Sequence, residues 1–267
     1  MSHIHQAWLD CQSHGGRLKL TYFNLTARGL SAVIALELSS QPWEADMIRL
    51  PDWRERKPHQ PQFAKQLPNL RLMDGETTIA QSVAILNVVG SVGGLMGQDR
   101  DFAVSQMLVH EAEEWYNLLY KFSYKPYIMQ EDAWSEESSQ MLWDESENGG
   151  WGQLKGRIVG VVSLLAERKQ KSKQTQTSVG VDRFTSTGVT IGEISLFALL
   201  HQAVAGPFPD AADLEPSEVP DLGSGAARCL RPFYNRMVAL PEVQRTLSGE
   251  TAAGELLVFF GKDPRKP

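Results

Sequence analysis

Residues 66–82, QLPNLRLMDGETTIAQS, constrain this chain more than any other stretch. Proline cannot donate a ladder hydrogen bond, so Pro68 belongs at the first residue of a strand. A cis Leu67–Pro68 bond would turn the backbone edge of Leu67 outward for an extended ligand to pair with. Asp74-Gly75 separates two alternating apolar runs, 69–73 and 77–80, and predicts a β-hairpin. Gln81-Ser82 then enters the helical pattern of Val83, Ala84, Ile85, Val88 and Val89. A hydroxyl beside unsatisfied N–H groups at a helix start suits a carboxylate, and it equally suits a plain helix cap. Taken in order, these parts describe a cradle for a peptide-like anion.

Upstream, residues 17–24 alternate into an apolar strand, and Thr26-Ala-Arg-Gly29 leads into a helix carrying Leu30, Val33, Ile34 and Leu36. Residues 43–50 predict a second strand, and 51–66 an irregular or helical connection with Trp53 and Lys57. The first 95 or so residues therefore spell β-α-β-α-β-β-α, the thioredoxin-type order.

Composition narrows the partners. The chain has 267 residues, 42% hydrophobic and 22% charged, enough for two compact domains, and its formal charge of -6 argues against nucleic acid as the main partner. Its two cysteines, Cys11 and Cys229, suggest no disulfide framework or metal cluster. No stretch approaches the ~20 apolar residues of a membrane span, and 1–16 lacks the apolar core of a secretory signal, so the expected location is cytoplasmic. Residues 1–16, with His3, His5 and His14, read as a flexible extension.

The run LTYFNLTARG, then Trp53 with Lys57, then QLPNL and DGETTIAQSVAIL resemble the glutathione-binding half of cytosolic glutathione transferases, most closely the sigma class. In the second half, Val189 to Phe197 resembles the family's segment that opens a buried helix. There Thr190 and Glu193 have capping-box spacing, each able to satisfy an orphan N–H. Residues 230–247 resemble the family's penultimate helix. The resemblance implies a thioredoxin-like glutathione-binding domain at 17–97 and an all-α domain at 98–267, with insertions at about 131–152 and 169–188.

It also implies roles. Tyr22 stands where the family places the tyrosine that hydrogen-bonds the glutathione sulfur; by its own pattern it is also readable as a strand tyrosine packed on Trp43 or Leu20. Arg28 matches the arginine that supports the thiolate, although Gly29-Leu30 follows where an acidic residue is usual. Trp53 and Lys57 would hold the glycine end of glutathione, Leu67 beside Pro68 the cysteinyl backbone, and Gln81 with Ser82 the γ-glutamyl end. The hairpin is two residues longer than the family's, an excess expected at its tip. A free thiol with a pKa of ~8.5 is mostly protonated near neutrality. Lowering it by about two units takes roughly 2.7 kcal/mol, within the ~1.5–3 kcal/mol of one hydrogen bond to a charged acceptor.

The implied activity is conjugation of glutathione, as co-substrate and without metal, to a hydrophobic electrophile. The electrophile would meet Phe23, Asn24 and a helix at 101–127 bearing Met107, His110, Glu111, Glu114, Trp115, Leu118 and Tyr120. A homodimer is implied, with an acidic group crossing to the γ-glutamyl amine; Glu111, Glu113 and Glu114 are the three candidates. Residues 169–188 read as a mobile polar connection. Residues 131–152 combine acids with Trp134, Trp143 and Trp151, which either present a partner surface or fold back over the helical domain. The N-terminal extension and this insertion favour a second hypothesis, a binding or structural protein of the same family that docks on a larger assembly and is non-catalytic, as the S-crystallins are; Tyr22, Gln81 and Ser82 favour the enzyme.

Overall fold

The computed structural model describes residues 17–61, 65–129, 133–175, 182–215 and 229–264, with the backbone alone for 169–175. The N-terminal extension expected at 1–16 lies outside the described residues. Two compact units are present, one comprising 1–96 with 241–257 and the other 97–240 with 258–267.

The first unit is built on a four-stranded sheet of order β2-β1-β3-β4. Strand β1 (Leu18–Phe23) is central, parallel to β2 (Trp43–Ile48) and antiparallel to β3 (Asn69–Arg71), which pairs antiparallel with β4 (Thr78–Ala80). Its alternation buries Leu18, Leu20 and Tyr22, as a period-two pattern requires. Helix α1 (Gly29–Leu38) follows β1 and packs on α3 (Ser82–Gly93). Between β2 and β3 lies a short helix α2 (Trp53–Arg56) flanked by 3-10 turns. The thioredoxin-type order is the one expected.

The hairpin strands contract to three residues each, leaving 72–77 as the tip. Gly75 takes φ +75°, and Asp74 Oδ1 accepts the N–H groups of Glu76 and Thr77, both at 2.9 Å. Helix α9 (Pro241–Leu247) also belongs to this unit: Arg245 Nη2 reaches Glu37 Oε2 on α1 at 2.8 Å.

The second unit is helical: α4 (Asp99–Phe122), α5 (Glu136–Trp143), α6 (Gly150–Thr175), α7 (Ile191–Ala205) and α8 (Arg231–Val238). Helix α7 is apolar nearly all round and nearly all buried, as such a helix must be. It packs on α4 so closely that a Cβ on Gly192 would stand 2.3 Å from the Ser105 carbonyl oxygen.

Two expectations change here, and one open alternative is decided. Glu193 makes only half of a capping box: Thr190 Oγ1 accepts its N–H at 3.4 Å, but its carboxylate accepts the Phe184 N–H (2.8 Å) and pairs with Arg236 (2.9 Å). The partner was chosen by burial, because an acid with no exposed surface needs a cation more than its helix needs a second cap.

The tryptophans of 131–152 are not a surface. Trp134, 2% exposed, donates to Asp263 Oδ1 at 3.0 Å, and Trp143 and Trp151 pack on Phe208 with ring centroids 5.3 and 4.8 Å away. Trp143 and Trp151 remain half-buried, so their rings are covered within the unit on one side.

Of the connection at 169–188, residues 169–175 continue α6, 176–181 lie outside the described residues, and 182–188 are held by hydrogen bonds to α4 and α6. Asp101 accepts the N–H groups of Ser186 (2.6 Å) and Thr187 (3.0 Å) and pairs with Arg168, which also donates to the Phe184 carbonyl. Among the described residues, no helix is long and apolar enough to cross a membrane.

Candidate functional site

The sheet unit gathers three of the anticipated residues at one end of β1. Tyr22, the fifth residue of β1, points inward and is 4% exposed. The chain then turns through 24–28 into α1, and the Arg28 N–H donates to the Tyr22 hydroxyl oxygen at 3.1 Å. An oxygen that accepts this N–H keeps its own proton as a donor. The Arg28 guanidinium extends the other way, its Nη1 3.3 Å from Ser82 Oγ.

Ser82 stands at the opposite side of this junction for a local reason. Strand β4 ends at Ala80, and Gln81 is the residue that turns the chain into α3, with φ +76° and ψ 121°. A glutamine rarely adopts positive φ, and such residues persist only where their surroundings hold them. Gln81 is the N-cap and makes no side-chain capping bond, so Ser82 is the first helical residue rather than the cap. Its side chain is buried, while Gln81 is exposed.

The remaining anticipated residues sit around this junction with different degrees of order. The Leu67–Pro68 bond is cis and immediately precedes β3; Pro68 is buried and Leu67 half-buried. Trp53 opens α2 and packs edge-on against Phe23, with ring centroids 5.3 Å apart. Arg49 and Arg56 are engaged with Asp52 (2.8 Å) and Asp46 (2.6 Å), whereas Lys57 is exposed and makes no ion pair among the described residues. The Arg49 hydrogen bond holds the Asp52 carboxyl below its ordinary pKa.

In the helical unit, the residues named on α4 divide by environment. Trp115 is fully buried and donates to Glu111 at 2.9 Å. Glu111 and Glu114 both meet Arg157 of α6, at 3.0 and 3.1 Å, and Glu113 is half-buried. A groove of about 360 Å³ runs between α4 and α6, with Met107, Glu111, Gly156, Arg157 and Gly160 in its lining. Tyr120 stacks on Phe259, ring centroids 6.3 Å apart.

Two features of the Tyr22 turn had no counterpart in the sequence reading. Gly29 lies against the Tyr22 ring, where a Cβ would stand 2.3 Å from Cδ1. Leu257, far along the chain, forms a bridge with Leu25. A glycine at a helix start was a visible signal for the first, whereas a backbone pairing has no side-chain signature.

No protein-family model matches the chain. Among solved structures it is similar to a glutathione S-transferase from Ascaris lumbricoides, with 20% identity, 87% of this chain and 96% of that one covered, and a TM-score of 0.58. A Pi-class enzyme from Onchocerca volvulus shares 22% identity over 85% of this chain and 90% of its own, with a TM-score of 0.59. A sigma-class enzyme from Fasciola hepatica shares 16% over 88% and 97%, also with a TM-score of 0.59. The chain therefore has the glutathione transferase fold, a thioredoxin-like domain joined to a helical one.

Proposed function

We propose that this protein is a glutathione transferase of sigma-like character, which binds glutathione at the junction of β1, α1 and α3 and adds its thiolate to hydrophobic electrophiles. The observation that carries the reading is Arg28, which supplies its N–H to the Tyr22 oxygen and its guanidinium to Ser82. One residue thereby links the group assigned to sulfur with the group assigned to the γ-glutamyl end. The fold similarity supports the same class of chemistry.

In this reading Gln81 and Ser82 take the γ-glutamyl carboxylate at the start of α3, where N–H groups and the helix dipole favour an anion. The Leu67 backbone pairs with the cysteinyl residue. Lys57 supplies charge to the glycyl carboxylate, and the Trp53 indole N–H a hydrogen bond. Tyr22 donates to the sulfur. The thiol loses its proton to solvent; the thiolate then forms a bond to the electrophilic carbon, and the displaced group leaves with the electrons of the bond that breaks. The hydrogen bond acts on the thiolate more than on the thiol, and that difference lowers the pKa. We further propose a cytoplasmic homodimer, the assembly and location anticipated from the sequence. The non-catalytic alternative rests on the N-terminal extension, which lies outside the described residues, and on the 131–152 insertion, where Trp134 is buried and Trp143 and Trp151 are half-buried against Phe208.

Tyr22→Phe tests the assignment. Glutathione affinity should stay nearly unchanged, because the peptide ends are held elsewhere. The bound thiol's pKa should rise by about one to two units, and turnover near neutral pH should fall roughly ten- to a hundredfold. Thiolate ultraviolet absorbance across pH reads the first, and conjugation of a generic aromatic electrophile reads the second. A wild-type bound thiol that titrates like free glutathione would defeat the catalytic reading.

A further inference from the structure

We propose that Leu257 is a positioning residue of the sulfur site: its backbone clamps both sides of Leu25 and holds the turn that aims the Arg28 N–H at the Tyr22 hydroxyl. The inference rests on the role assigned to Tyr22 above.

The chain leaves β1 at Phe23 and must enter α1 by Gly29. The Asn24 N–H still continues the ladder of β1, donating to the Ile48 carbonyl at 3.2 Å. Its carbonyl accepts the Leu257 N–H at 3.0 Å, and the Thr26 N–H donates to the Leu257 carbonyl at 2.9 Å. These two bonds form a parallel bridge around Leu25, whose side chain is 2% exposed. Ala27 follows immediately with φ +22°, a conformation that a residue with a Cβ holds only when its neighbours impose it. The next residue is Arg28, whose N–H meets the Tyr22 oxygen. Leu257 thus supplies backbone partners to the turn just before its strained residue, and the strained residue sets the direction of the functional N–H.

The segment that carries Leu257 is itself anchored. Helix α9 is fastened to α1 by Arg245 and Glu37, and Gly249 and Gly254, at φ +77° and +64°, turn the chain back toward β1. Both ends of the strap therefore attach to the same unit, so it can bear on the turn as a brace does. A side chain that merely filled space would not need two backbone bonds in register with Asn24 and Thr26.

The test uses the full chain and two readouts, amide exchange at Arg28 and titration of the bound glutathione thiol. Leu257→Pro deletes the N–H given to Asn24. The Arg28 amide should exchange about tenfold faster and the thiol pKa should rise by about one unit, with the KM for glutathione within about twofold of wild type. Leu257→Ala keeps both backbone bonds and should keep the Arg28 protection. A folded Leu257→Pro protein with wild-type Arg28 exchange and wild-type thiol pKa would overturn the proposal, as would equal loss of protection in Leu257→Ala. Should the proline variant fail to fold, Gly254→Val strains the strap at a position where an added Cβ meets nothing within 4 Å. It should move both readouts in the same direction, and no movement would overturn the proposal. Failure of the underlying reading looks different: the wild-type thiol would titrate like free glutathione, while Arg28 exchange would still report the clamp.

Discussion

Tyr22, Gly29 and Arg28 depend on one another. A Cβ added to Gly29 would fall 2.3 and 2.5 Å from two carbons of the Tyr22 ring, distances that require the ring to move. In an unobstructed helix, replacing glycine by alanine would stabilise by about 0.5–1 kcal/mol. Overpacking a filled site costs about 1–3 kcal/mol, so the clash decides the sign. Gly29→Ala is expected to lower stability by about 1–2 kcal/mol net and to displace the Tyr22 hydroxyl from the Arg28 N–H. Urea unfolding measures the first effect and the bound thiol's titration the second; a variant more stable than wild type would disprove the contact. The same contact accounts for a departure visible in the sequence. Arg28 is followed by glycine and leucine rather than an acid, and in the fold its guanidinium goes to Ser82, 54 residues away. Residue types at this site were readable because each has its own chemistry; the partner of Arg28 was not, because it arrives on another element.

Among the elements, the junction of α4, α6 and α7 shows what buried charge does to a connection. Burial pushes the Asp101 carboxyl upward in pKa, but the Ser186 hydroxyl and N–H, the Thr187 N–H and Arg168 together outweigh it, and the carboxyl ends below its ordinary value. A depressed folded pKa contributes stability that is present above the unfolded value of about 3.9 and is lost as pH falls through the folded one. Asp101→Asn is expected to cost about 3 kcal/mol at neutral pH, since it leaves Arg168 buried without its anion, and to flatten the loss of stability below about pH 4. Denaturant unfolding at several pH values checks both; parallel acid limbs in the two proteins would remove Asp101 from the account. The polar composition and weak apolar period of 169–188 predict a mobile connection, yet Ser186 and Thr187, though exposed, are bonded to Asp101. Their partner lies 85 and 86 residues earlier. Burial of Glu193 likewise raises its carboxyl pKa against the pull of Arg236, an outcome that local capping rules do not contain.

For the whole molecule, the proposed assembly is a homodimer in which an acidic group of one copy serves the other's glutathione. Sedimentation of the full chain should give one species near twice the 29.7 kDa chain mass; a stable species at the chain mass itself would remove the shared acid from the site. Glu111 and Glu114 are already paired with Arg157 within their own chain. Either of these acids, to reach a second copy, would have to share or exchange that partner.

The sequence by itself determined the order β-α-β-α-β-β-α, the Asp74-Gly75 hairpin, the entry to α3 at Gln81 and Ser82, and the buried helix beginning after Thr190. Each of these follows from short-range physics: a period of 2 or 3.6, a turn that needs a permissive glycine, a proline without an N–H. Only the tertiary structure decided that Trp134 is buried and the Trp143 and Trp151 rings pack on Phe208, that the Glu193 carboxylate pairs with Arg236 instead of the Thr190 N–H, that 241–257 joins the sheet unit, and that Leu257 clamps the Tyr22 turn. These are choices among partners distant in the chain. Burial and backbone pairing make them, and neither leaves a local mark in the order of residues.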